Sequence, residues 1–176
     1  MLYRLARCLL IGLCCANSIG SASAQAVSEA QLKASYLVSF FKYIEWPGNL
    51  ESLSLCLLGR EELSDYLRGY EGRIVSGKAL HIRKVNTPDE FAACQQVFIP
   101  ESEPDKYLQW LPMLEKLHVL TVSDKPGFVR QGGAIGLAYQ SGKVSFEINA
   151  EVVGRNGLKV ATPMLRLARQ VIGSAK

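Results

Sequence analysis

Five cysteines and two histidines are the scarce reactive side chains of this 176-residue chain. Cys8, Cys14 and Cys15 fall in an apolar N-terminal run, which leaves Cys56 and Cys94 in the rest of the sequence. A single even pair in an exported domain reads as a disulfide. It would close a loop of about 38 residues and stabilise the fold by roughly 3–4 kcal/mol on the chain-entropy account. Two buried free thiols are the other reading. Zinc needs four nitrogen or sulfur ligands, or three and a water. Only His81 and His118 could join the pair, so no metal or cofactor site is expected.

Catalytic motifs fare no better. Gly72-Arg73-Ile74-Val75-Ser76-Gly77-Lys78-Ala79 approaches a phosphate-binding loop, but Ala79 stands where a hydroxyl would hold magnesium. Its context is also reversed, with a helical pattern before it and a strand pattern after it, so a glycine turn is expected. The G-x-S-x-G, H-E-x-x-H and C-x-x-C patterns are absent. An acid–base role for His81 or His118 would define a small exported hydrolase, but lone histidines in or beside strand patterns are usually structural. Glu61 and Glu62 read as a solvated helix face. Glu101, Ser102 and Glu103 follow a strand pattern and read either as a favourably charged helix start or as a ligand or partner contact.

The most distinctive loop is Pro126-Gly127-Phe128-Val129-Arg130-Gln131-Gly132-Gly133, flanked by Asp124. Its glycines permit positive φ and close backbone approach, and successive N–H groups in such a loop can form an anion-holding nest. A tight connection into a hairpin is the plainer reading.

These residues need elements to position them. Ser28 and Gln31 form an approximate capping box ahead of an apolar helix running to about Ile44, before Trp46-Pro47-Gly48. Leu32, Tyr36, Phe40 and Tyr43 make one row and Leu37, Phe41 and Ile44 a second, so the helix should be buried on several sides. Strand patterns follow at 53–58, 79–85, 97–99 and 119–122, separated by helical patterns at 61–70, 88–93 and 105–117. Segments 135–139 and 144–148 read as a hairpin around Gln140-Ser141-Gly142-Lys143. A short helix or turn at 151–155 and a strand at 158–160 come next. Thr162 and Pro163 then open a last helix, with Met164, Leu167, Ala168 and Val171 on one stripe and a stop at Gly173.

Alternating strands and helices argue for a single-domain α/β fold, a three-layer sandwich around a mostly parallel sheet with an antiparallel hairpin edge. Ligands of such sheets bind beyond the carboxyl ends of the strands at the switch point. That rule gathers Arg60, Ser102, Glu103, Asp124, Arg130, Gly132 and Gly133 as candidate ligand or partner contacts.

The N-terminus has Arg4 and Arg7, an apolar run from Cys8 to Ala16 and the small-residue site Ala22-Ser23-Ala24. Residues 1–24 therefore read as a cleavable signal peptide, with the mature domain at 25–176. Leu13 before Cys14 argues against lipidation. No later stretch approaches the roughly 18 apolar residues of a membrane span. Loss of Arg4 and Arg7 lowers the formal charge from +4 to +2, since no acid leaves with them. So weak a balance is no footprint for nucleic acid. With 9% aromatic and 20% charged residues, disorder, collagen and coiled coil are excluded.

The opening helix 32–44 through Glu45-Trp46-Pro47, then Leu55-Cys56-Leu57-Leu58-Gly59, the Cys94–Pro100 segment and Val119-Leu120-Thr121-Val122-Ser123-Asp124 occur in a telling order. Pro126-Gly127-Phe128, Gly132-Gly133, Val144-Ser145-Phe146-Glu147-Ile148-Asn149, Gly157-Leu158-Lys159-Val160 and Leu165-Arg166-Leu167-Ala168-Arg169 complete it. The ordered set resembles the YfiR family of periplasmic regulators. The resemblance implies a Rossmann- or flavodoxin-like fold and a non-enzymatic protein that represses a YfiN-type inner-membrane diguanylate cyclase by binding its periplasmic domain. It further implies lowered cyclic-di-GMP and biofilm formation, sequestration by a YfiB-type outer-membrane lipoprotein, and a homodimer. Cys56 and Cys94 match the family's long-loop disulfide, while a second pair found in some members is missing here. The alternative function is a periplasmic small-molecule-sensing module feeding another receptor such as a sensor kinase.

Overall fold

The computed structural model describes residues 27–59 and 63–174. The segment 1–24, read from sequence as a signal peptide, and the residues Arg60, Glu61 and Glu62 lie outside them.

Helix α1 (Glu29–Phe40) starts where the Ser28 hydroxyl accepts the Gln31 N–H at 3.1 Å, satisfying one of the orphan donors of the first turn. It ends four residues before the boundary that its apolar rows suggest. Ile44 and Glu45 instead form β1, paired antiparallel with β9 (Lys159–Val160). The Ala161 N–H donates to the Tyr43 carbonyl at 2.8 Å. Ile44 is buried either way, but the ladder satisfies backbone groups that another helical turn would have left without this partner.

Strand β2 (Ser52–Leu58) leads to α2 (Leu63–Leu67), which tightens into a 3₁₀ turn at Arg68–Tyr70. Strands β3 (Ile74–Val75) and β4 (Lys78–Val85) form a hairpin turning at Ser76 and Gly77, both with positive φ. The sequence that approaches a phosphate-binding loop is this hairpin. A 3₁₀ helix at Pro88–Ala93 precedes β5 (Gln96–Ile99). The segment read as one helix from 105 is a 3₁₀ stretch, Asp105–Trp110, followed by α3 (Leu111–Lys116), with Pro112 in the first turn of α3. Then come β6 (Leu120–Ser123), a 3₁₀ turn at Phe128–Gln131, the hairpin β7 (Ile135–Gln140) and β8 (Lys143–Asn149), and α4 (Ala150–Arg155).

The C-terminus departs most from its sequence pattern. Helix α5 is only Thr162–Leu167, Ala161 rather than Thr162 occupies the cap position, and the chain re-extends as β10 (Gln170–Ile172). Strand β10 pairs parallel with β8, Val171 opposite Ile148, and the Arg169 N–H donates to the Phe146 carbonyl at 2.8 Å. The apolar spacing that mimics a longer helix is overridden by pairing with the edge of β8.

The eight-stranded sheet runs β10-β8-β7-β6-β5-β2-β4-β3. Its parallel centre, β4-β2-β5-β6-β7, has the flavodoxin-like order, with the switch point between β2 and β5. The β7–β8 hairpin is antiparallel, and β10 adds one parallel strand outside it. The pleat sends alternate residues to opposite faces. Leu55 and Leu57 pack with α1, α2 and α5 in one core, while Cys56 and Leu58 join Phe91, Tyr107, Leu114 and Phe128 in the other. Cys56 and Cys94 form the disulfide, their Cα atoms 5.8 Å apart, within the second core. The layered α/β architecture is as the alternation of patterns implied.

Candidate functional site

The carboxyl ends of the central strands hold most of the candidate residues. Gly59, at the end of β2, has φ +74, and a Cβ there would lie 2.0 Å from the Glu103 carboxylate oxygen. Glu103 therefore lies directly over the switch point. Ser102 is exposed beside it in the turn after β5. Asp124, just beyond β6, accepts the Glu101 N–H on Oδ1 at 2.7 Å and faces Lys33 Nζ on Oδ2 at 2.5 Å. Glu29 lies 2.5 Å from the same ammonium. Burial pushes the Lys33 pKa down, but Asp124 and Glu29 outweigh it, so it stands above the ordinary lysine value. Lys125 meets Asp105, which raises its pKa, and lies over the Tyr107 ring.

The glycine loop encloses a side chain. Gly127 and Gly132 take left-handed conformations at either end of the 3₁₀ turn that carries Phe128 into the second core. A Cβ on Gly133 would sit 2.0 Å from the Phe128 ring, so only glycine allows the backbone to pass there. Arg130 is exposed and donates to Gln170 Oε1 on β10 at 3.4 Å. His81 faces Glu71 at 3.0 Å, and His118 Nδ1 lies 2.7 Å from the Asn156 carbonyl.

A groove opens on the other face of the sheet, between α1, β8 and α5, with a volume of about 360 Å³. One wall is Ser35, Tyr36, Ser39 and Phe40, which share one stripe of α1, with Tyr43 from the turn just after it. Val144 and Phe146 point into it from β8, with Ser145 at its edge, and Met164 and Leu167 close it from α5. The floor is an aromatic cluster. The Phe40 and Phe146 ring centres are 5.5 Å apart, and Tyr36 meets both edge-on at 6.2 and 6.0 Å. The Tyr36 hydroxyl donates to the Val144 carbonyl at 3.0 Å, tying helix to strand. Phe40 and Met164 are each 2% exposed, whereas Leu167 on the rim is 69% exposed. Apolar carbon, three serine hydroxyls and two phenols make up the lining, and no histidine or carboxylate contributes. Such a surface binds by shape and desolvation.

Sequence reasoning did not single out this groove. The aromatic rows of α1 read chiefly as core, with part of an apolar partner patch as the other reading, and the α5 stripe read as part of a longer helix. One signal was available: Ser35 and Ser39, four apart inside the apolar stripe, mark a side of α1 that is not sealed against other residues.

Two solved structures share the fold. A conserved domain protein from Vibrio cholerae O1 biovar El Tor matches with a TM-score of 0.54 at 8% identity over 82% of this chain and 60% of that one. An ABC domain from Streptococcus pneumonia, solved in complex with L-Trp, matches with a TM-score of 0.50 at 13% identity over 79% of this chain and 60% of that one. The chain thus spans about 60% of the length of each. Among the described residues, no helix is long and apolar enough to cross a membrane. The family model described as YfiR/HmsC-like (DUF4154) matches residues 30–169. The chain therefore belongs to the YfiR/HmsC-like family.

Proposed function

We propose that this protein is an exported regulator that represses an inner-membrane diguanylate cyclase by binding the cyclase's periplasmic domain through the groove between α1, β8 and α5. Family membership supports the regulatory role. The disulfide suits an oxidising compartment, in line with export by segment 1–24. The observation that carries the reading is Leu167, 69% exposed beside a floor of buried Phe40, Phe146 and Met164. A large aliphatic side chain held at the lip of an aromatic cleft is the anatomy of a partner anchor.

Repression needs no bond-making. A domain that binds only the inactive cyclase shifts its equilibrium by the difference in affinity, and each 1.4 kcal/mol of that difference is about tenfold in population. An outer-membrane lipoprotein competing for the same surface would release the cyclase. Calorimetric titration of the mature chain with the cyclase's periplasmic domain tests this directly. Leu167→Asp should abolish the heat while leaving the melting temperature within about 2 °C, since an exposed position carries little stability. Cyclic-di-GMP in the host should rise on deletion and fall again only with the exported wild-type chain. Binding unchanged by Leu167→Asp would refute the assignment of the groove.

A solute-sensing module feeding a receptor such as a sensor kinase is the second reading, favoured by a groove volume within the small-ligand range of about 300–1,000 Å³. A metabolite that raises the melting temperature of wild type but not of Leu167→Asp would support it.

A further inference from the structure

We infer that residues 162–172, which carry α5 and β10, form a releasable strap over the groove: the segment lifts from β8 as one unit and bares the aromatic floor beneath it. The inference stands on the strap alone and holds whatever partner uses the groove.

It comes from how unevenly the segment is held. Along it only Met164 is buried, at 2% exposed, and Leu165 and Ala168 are partly buried. Leu167 and Val171 stand 69% and 41% exposed. The elements under it are anchored more deeply. Strand β8 buries Val144, Phe146 and Ile148, and α4 buries Ala150, Val152 and Val153. A segment with so few buried apolar side chains opens at a lower free energy than the whole fold, and does so as a contiguous unit.

Its attachments are correspondingly few. The Ala161 N–H donates to the Tyr43 carbonyl at 2.8 Å, which fixes the chain just before the strap. Thr162 and Pro163 follow, both exposed, so a hinge there moves no buried side chain. Beyond them, three residues of β10 pair with Glu147–Asn149. The Arg169 N–H donates to the Phe146 carbonyl at 2.8 Å, and its guanidinium meets Glu147. Arg130 reaches Gln170 at 3.4 Å. Gly173 then passes close to the start of α4, where a Cβ would lie 2.7 Å from that of Glu151. Strand β10 ends the sheet, so among the described residues no ladder holds its outer edge.

Release has a defined consequence. Met164 and Leu167 are the α5 wall of the groove. The floor does not depend on them for its shape: Tyr36, Phe40 and Phe146 meet one another edge-on, and the Tyr36 hydroxyl holds the Val144 carbonyl. The cleft of about 360 Å³ is thus the closed form of a wider apolar site whose access the strap controls.

Amide hydrogen exchange on the mature chain, read by NMR, tests this together with uptake of the apolar dye anilinonaphthalene sulfonate. The Arg169 amide and that of Val171, the next on the same side of the strand, should exchange about a hundredfold faster than the β7–β8 ladder amides, through local opening. Glu147→Cys with Gln170→Cys places thiols at register partners. Oxidised, that bridge should bring the strap amides to the ladder rate and lower dye uptake, and its reduced form should behave as wild type. Val171→Pro removes one donor to β8 at an exposed position. It should raise dye uptake while the ladder amides keep their wild-type rates. Should the bridge fail to close, Val171→Pro decides alone. Strap amides as slow as the ladder in wild type overturn the inference. So does dye uptake that Val171→Pro leaves unchanged, or raises only as the ladder amides also accelerate, since the fold would then loosen as a whole.

Discussion

Removing the Asp124 carboxylate should destabilise this protein through two separable contacts. One oxygen accepts the Glu101 N–H at 2.7 Å, closing the turn after β5. The other holds Lys33 of α1 at 2.5 Å, with the two side chains 12% and 14% exposed. Hydrogen bonds to a charged group are worth about 1.5–3 kcal/mol each. The ion pair is less screened than a surface pair but not fully buried. Asp124→Ala should therefore cost about 2–4 kcal/mol, or roughly 5–12 °C in melting temperature for a domain of this size. Asp124→Asn keeps an acceptor for the Glu101 N–H and loses the charge, so it should cost about half as much. The assay is urea unfolding of wild type, Asp124→Asn, Lys33→Met and the double variant. The coupling energy from that cycle should be about 1–2 kcal/mol. The Lys33 pKa is raised in the fold, so the pair's stabilisation is fully present below the ordinary lysine value near about 10.4. It is lost as pH rises through the folded pKa. Lys33→Met should remove that alkaline loss. A coupling below about 0.3 kcal/mol would refute the reasoning, because independent sites add within that margin.

Replacing Cys56 and Cys94 by Ala together should lower stability by about 3–4 kcal/mol for a loop of this length, measured by unfolding with and without reductant; an unchanged midpoint would contradict a structural bridge. Gly133→Ala should cost about 1–3 kcal/mol by overpacking against the Phe128 ring. Gly154→Ala, in helix α4 with open space at its Cβ, should be neutral or stabilising, and thermal melts separate the two. The Glu71 carboxyl is held below the ordinary range by the Ile82 N–H and by His81. Its stabilisation should be present above the ordinary glutamate pKa near about 4.3 and fade as pH falls through the lower folded value. Glu71→Gln should flatten that acid limb in pH-dependent unfolding, and an unchanged limb would count against the contact.

Much of the site's neighbourhood could be read from residue types. Ser28 before an apolar helix, the β-branched strands and the glycines around Phe128 each act over a few residues, and each is found in its expected element, while Cys56 and Cys94 pair across 38 residues as their even count implied. The mostly parallel sheet follows from the alternating patterns, while its flavodoxin-like strand order was implied by the family resemblance. The ends of the first and last helices were not legible. Ile44 and Val171 continue helical spacing in sequence, yet both lie in strands because β9 and the edge of β8 offer them backbone partners.

The groove illustrates the same limit from the functional side. Sequence alone determined that α1 is apolar over most of its circumference and that the chain's ordered segments fit one family. Those are local properties, set by side-chain chemistry and spacing along the chain. Only the tertiary structure decided that α5 stops at Leu167, which leaves that side chain in solvent over the Phe40–Phe146 cluster rather than inside a longer packed helix. It decided, too, that Asp124 is occupied by Lys33 from a helix 91 positions away. Whether an apolar side chain becomes core or binding surface depends on what the rest of the chain brings against it. That is a matter of long-range pairing and close packing, which no periodicity records.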